Sequence, residues 1–171
     1  HANIEINGIT YNSPMIMPIY DGQLELIQCA VMQNHKPVQI VPDGMAKGFA
    51  YYGELKPNEP IIITYSLEAF FKIAQTGYAV VLVVLPSLCK QQLTALKPFD
   101  FEQIQFVIQQ LQITGFNRLY MPVRPEQIQL EAFQKLEQNT ALRLINQHIV
   151  IDDDGSRNEF LIELYKDDNA E

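Results

Sequence analysis

Eight consecutive residues, Tyr78-Ala79-Val80-Val81-Leu82-Val83-Val84-Leu85, are all apolar or aromatic, and four of them are valine. A run this short cannot cross a bilayer as a helix, and its β-branched content favours an extended chain. It suits a strand buried on both faces, which requires a layer of structure above it and another below. Ile61-Ile62-Ile63-Thr64-Tyr65 reads as a second buried strand. Between the two, Leu67, Phe70, Phe71 and Ala74 form the apolar stripe of a helix over 67–75, with Ser66 as N-cap and Gly77 as its stop. Strand, helix, strand over 61–85 predicts a right-handed crossover between parallel strands.

The segments on either side differ in pattern. Ile4 to Tyr11 alternates apolar and polar around Asn7-Gly8, the signature of a two-residue hairpin with positive φ at both central positions. Ser13-Pro14 and Pro18 bracket Met15, Ile16, Met17 and Ile19, which fits an edge strand or an extended connection. Leu24, Ile27 and Val31 are spaced for a helix over 22–33 capped by Asp21, although Leu24-Glu25-Leu26 also begins an alternation. Val38 to Val41 fits a strand stopped by Pro42-Asp43-Gly44. In Phe49-Ala50-Tyr51-Tyr52, Phe49 and Tyr51 share one strand face and Ala50 and Tyr52 the other.

Past the valine run, the pattern predicts a helix over 88–96. A longer one follows, capped by Asp100, lined by Phe101, Ile104, Ile108 and Leu111, and stopped by Gly115. A strand follows over 118–123, then a helix opening at Pro125-Glu126 with Ile128, Ala132, Phe133, Leu136 and Leu142 on one side. Strands at 149–151 and 160–165 around Asp152 to Ser156 make a C-terminal hairpin, and 166–171 is a polar tail expected to fray. The fold expected is therefore α+β: one domain over 1–171, a mixed β-sheet of about five to seven strands with helices packed on it, and hairpins at both chain ends. With 171 residues the chain can bury a core without staples. That core is expected at Ile62, Leu67, Phe70, Phe71, Val81, Val83, Leu85, Ile104, Ile108, Leu111, Phe133, Leu136 and Val150.

Charge and missing motifs narrow the function. The net charge is −8 and the 12 Lys and Arg are spread singly, so a phosphate backbone would be repelled and no nucleic-acid partner is expected. An acidic balance fits a soluble cytoplasmic protein, or one that meets a basic protein partner. The N-terminus, HANIEING, has neither the basic region nor the apolar run of a signal peptide, and His1 in place of Met points to a junction or a processed end. Cys29 and Cys89 each sit among apolar residues, as buried thiols do. His1, His35 and His148 have no zinc spacing. Asp152 and Asp154, with Ser156, Asn158 and Glu163, fall on an EF-hand-like count, but the sixth position is Arg157 where that loop needs glycine. The turn is therefore read as a solvated hairpin tip and not as a metal site. No G-x-S-x-G, G-x-G-x-x-G or phosphate-loop motif occurs, so no catalytic residue and no cofactor is assigned.

Two stretches resemble known families. VVLVVLP, QQLTAL and RLYMPV, over 79–123, are similar in order to a strand, helix, strand stretch of serpins, whose length is about twice this chain's and whose reactive loop has no counterpart here. The segment 60–85, with IIITYSLEAF, resembles the small SseB-type bacterial domain, in which a strand runs into a T-S-x-E-A-type helix start; the Asn-Pro-Gly signature of that family is missing further on. Neither resemblance carries residues over. The expectation is a non-enzymatic acidic protein-binding module of bacterial type, an inhibitor, immunity protein or assembly adaptor. Its candidate contact residues are Phe49, Tyr51 and Tyr52, since aromatic side chains are enriched at interfaces. A small enzyme or ligand-binding domain with an aromatic-lined cleft is the alternative, and a homo-oligomeric structural protein a third. No membrane partner is expected.

Overall fold

The computed structural model describes residues 3–33, 36–42, 44–85 and 96–147. The valine run supplies strand β8 (Ala79–Val83). Val80, Leu82 and Val84 enter one core cluster, while Val81, Val83 and Leu85 enter the other, and all six are at most 3% exposed. Strand β7 (Ile61–Thr64) lies parallel to β8, in register from Ile61↔Ala79 to Thr64↔Leu82. Helix α1 (Leu67–Ala74) is the crossover. The Ser66 hydroxyl accepts from the Ala69 N–H at 3.2 Å, as an N-cap should. Gly77 does not cap the helix: Gln75 does, and Gly77 lies in the turn beyond it at φ +91°. Phe70 is buried, but Phe71, expected beside it in the core, is 40% exposed. Neighbouring helical residues point about 100° apart, so only one of the pair can face the sheet.

The chain folds as a single mixed α+β unit with two sheets. β1 (Asn3–Ile6) and β2 (Ile9–Asn12) form the expected hairpin, with Asn7 at φ +50° and Gly8 at φ +83°. The main sheet adds β3 (Met15–Tyr20), β4 (Leu26–Gln33), β5 (Lys36–Val41), β6 (Phe49–Tyr52), β9 (Leu119–Val123) and β10 (Leu142–Asn146). Among the described residues it has eight strands, in the order β10-β9-β7-β8-β6-β3-β4-β5. The four strands from β10 to β8 are mutually parallel, and every pairing from β8 to β5 is antiparallel. The carboxyl ends of the parallel strands thus share a sheet edge with the ends of β3 and β5 and the start of β6.

Several sequence expectations are corrected. Residues 26–33 form strand β4 and not part of a helix over 22–33. Asp21 caps no helix: one carboxylate oxygen accepts from the Gln23 and Glu25 N–H groups at 2.9 and 3.0 Å, closing a turn. β3 is not an edge strand but lies between β4 and β6. Pro18 is tolerated there because β6 pairs with β3 at one position, Tyr20↔Phe49, so most of that flank has no ladder for a missing N–H to interrupt. Helix α2 (Pro98–Thr114) starts before Asp100, whose carboxylate accepts from the Lys97 N–H at 2.8 Å and so satisfies the N-cap backbone from inside the first turn. Beyond Pro125 there are two helices, α3 (Pro125–Ile128) and α4 (Glu131–Asn139), because Leu130 between them is extended. Leu142 belongs to β10, a strand the sequence pattern did not announce. The helix expected over 88–96, the C-terminal hairpin, Val150 and the polar tail lie outside the described residues.

The layers follow from the two clusters. α1 brings Phe70 and Ile73 to one face of the sheet. α2 and α4 bring Ile104, Val107, Ile108, Leu111, Phe133 and Leu136 to the other, where Phe101 meets Phe133 edge-on at 5.1 Å. Among the described residues no helix is long and apolar enough to cross a membrane.

Candidate functional site

α2 is apolar on two sides. Ile104, Val107, Ile108 and Leu111, spaced i, i+3, i+4 and i+7, are 0% exposed and hold it to the sheet. On the opposite side Phe99, Phe106 and Ile113 recur every seven residues and are 45%, 45% and 76% exposed. Scattered exposed apolar residues are ordinary on any surface. Three large ones in a row along one helix are not, because a helix apolar all round belongs between two layers. Residues 98–117 hold no lysine or arginine, so Asp100 and Glu102 are the charges of this segment.

Two depressions lie between this helix and the antiparallel half. The larger depression, of about 160 Å³, lies between Phe99 and Gln103 on α2 and the side chains of Ile40, Met45, Ala46, Val84 and Leu85. Its loop wall is pinned from below. Gln28, 4% exposed, donates its amide N–H to the Met45 carbonyl and accepts from the Lys47 N–H, both at 2.7 Å. Gln103 donates to the Ala46 carbonyl at 3.3 Å. A buried amide satisfied at both ends holds a loop more firmly than apolar packing alone. Met45 remains 53% exposed at the mouth, where an unbranched thioether can adapt to what it meets.

The smaller depression, of about 50 Å³, lies between Phe106 and Gln110 on α2 and the backbone at Gly22 and Gly48. Both glycines permit close approach. A side chain at Gly22 would meet the Gln110 amide oxygen at 2.9 Å, and Thr114 donates its hydroxyl to the Gly22 carbonyl. Phe106 and Gln110 repeat the arrangement of Phe99 and Gln103 seven residues later.

The three aromatic residues singled out in β6 do not make one surface. Phe49 is 0% exposed, sits in the core and contributes to the lining of the smaller depression. Tyr51 shares its face, half-buried, with its ring 4.8 Å from that of Tyr20. Tyr52 points to the opposite face and is 60% exposed. Alternation along the strand, legible in the sequence, is what separates them. Cys29 is a free, half-buried thiol. Asp152, Asp154, Cys89 and all three histidines lie outside the described residues, and among those described no three His, Cys, Asp or Glu side chains come together. The buried face read from the sequence does not separate out this stripe; the seven-residue repeat of Phe99, Phe106 and Ile113 is the signal that marks it.

Among the described residues one ionisable group, Tyr65, is shifted. Tyr65 follows β7 at the carboxyl edge of the parallel strands, where Gln127 donates to its phenol oxygen at 3.1 Å. Burial raises its pKa above the ordinary value of 10.0; the Gln127 hydrogen bond and the Arg124 charge oppose that shift. Arg124 itself pairs with Glu126 at 3.4 Å on the surface. The unfolded chain therefore releases this proton at lower pH than the folded one. Below about pH 10 the contribution to stability is complete, and it is lost as pH rises through the folded pKa. Replacing Tyr65 with phenylalanine is expected to make the alkaline loss of stability shallower, as measured by urea unfolding from about pH 8 to about pH 11. An unchanged slope would show that Tyr65 does not carry it.

No protein-family model matches the chain, and no curated protein matches its sequence.

Proposed function

We propose that this protein is a non-enzymatic, acidic protein-binding module that docks a partner along α2. The observation that carries this reading is the outward stripe of Phe99, Phe106 and Ile113, which are 45%, 45% and 76% exposed and so are not covered by another layer among the described residues. The depressions beside it supply the concave, desolvated seats in which interface energy concentrates. The net charge of −8 and the absence of basic residues from 98–117 favour a partner with a basic rim. A ligand-binding cleft would need several convergent polar groups, whereas among the described residues Gln103 is the one polar side chain lining the larger depression, and it already donates to Ala46. The tuned Tyr65 does not line either depression.

Phe106→Glu tests the reading. Because Phe106 is 45% exposed, the variant is expected to fold, which its far-ultraviolet spectrum and thermal midpoint check. The tagged wild-type chain, cross-linked in a lysate of its source cell, is expected to retain one stoichiometric protein, and the variant to retain at least about tenfold less. Equal retention by both would overturn the reading. Sedimentation of the purified chain adds a control: a wild-type dimer that becomes a monomer on substitution would assign the stripe to self-association instead.

A further inference from the structure

The two depressions fix the shape of what can lie along α2. They are formed by equivalent pairs on that helix, Phe99 with Gln103 and Phe106 with Gln110. Seven residues of helix span about 10.5 Å. A second helix laid alongside presents side chains at the same interval whenever they stand seven residues apart. An extended strand presents same-face side chains at about 7 and about 13 Å, so it cannot fill both seats together. The stripe itself drifts by about 20° per seven residues on a straight helix, the offset that two helices absorb by coiling around each other.

The seats are unequal. A cavity of about 150 Å³ is known to hold benzene, so the depression of about 160 Å³ accommodates one leucine or phenylalanine side chain. The other, at about 50 Å³, has room for a methyl-sized group. Glu102, on α2, is exposed, and Asp21 and Lys47 both line the smaller seat.

From this geometry we infer that the occupant is an amphipathic helix that places a large apolar residue and a small one seven positions apart, with lysine or arginine on its flanks. This inference rests on the docking reading and specifies its partner. The backbone of such a segment is satisfied within itself, so nothing is asked of α2 beyond apolar contact and rim charge.

A display library of random 16-residue peptides, selected against the immobilised full chain, tests it. The enriched sequences are expected to pair Leu or Phe with Ala or Val seven positions apart and to carry excess Lys and Arg. Synthetic versions are expected to turn helical on binding and to bind at least tenfold more weakly to the Phe99→Glu and Phe106→Glu variants. Enrichment of alternating, extended sequences that these variants still weaken would overturn the helix and leave the docking face standing. Enriched peptides indifferent to both variants, or no enrichment at all, would overturn the inference; the docking reading then stands or falls on the cross-linking comparison with Phe106→Glu.

Discussion

Gly48→Ala is expected to destabilise the chain by about 3 kcal/mol or more, the upper part of the range for overpacking a tight site. A β-carbon at this position would stand 2.0 Å from the Tyr20 carbonyl oxygen and 2.9 Å from its carbon. Both are backbone atoms, so no rotamer change can make room. The clash falls next to the Tyr20↔Phe49 pair, the one position at which β6 meets β3. Relief would have to come from parting these strands at the one pair that joins β3, β4 and β5 to the rest of the main sheet. Set against a typical total of about 5–15 kcal/mol, the loss is large. Urea unfolding measures it; a loss below about 1 kcal/mol would mean that the strands do not approach this closely.

The second large effect separates two residues that stand three apart. Phe49→Ala is expected to cost about 3–5 kcal/mol, because Phe49 is 0% exposed and its ring fills space among Val83, Tyr51 and the side chains below α2. Tyr52→Ala is expected to stay within about 0.5 kcal/mol, since Tyr52 is 60% exposed. The same unfolding experiment reads both. Equal effects would contradict the placement of Phe49 and Tyr52 on opposite faces of β6.

That contrast shows what was legible in the sequence. Where period and local chemistry agree, the reading holds. Ser66, the stripe of Phe70 and its helix, and the valine run led directly to a parallel crossover, and Asn7-Gly8 led to its hairpin. It fails where a segment carries two periods. Leu24, Ile27 and Val31 satisfy a helix, yet residues 26–33 find partners on both sides in β3 and β5, and tertiary pairing outweighs weak local preference. β10 was missed because Leu142-Arg143-Leu144-Ile145-Asn146 is short, and its pairing with β9 joins residues over twenty positions apart. The candidate site was half legible. Its apolar residues are plain to read, but the larger depression depends on Gln28, whose role is to tie down a loop from the far side of a sheet turn. Nothing in the local sequence marks that glutamine as buried.

The single junction between β3 and β6 also bears on how the molecule is made. Synthesis delivers β1 through β6 before β8 exists, yet β6 pairs at four positions with β8 and at one with β3. A nascent chain therefore carries the aromatic strand Phe49–Tyr52 as an unpaired edge until the crossover helix and the valine run have left the ribosome. During that interval the strand that will lie at the centre of the sheet is its most adhesive segment. Gly53 and the prolines at 57 and 60 follow it at once, and such breakers shorten an edge that could otherwise recruit a neighbouring chain.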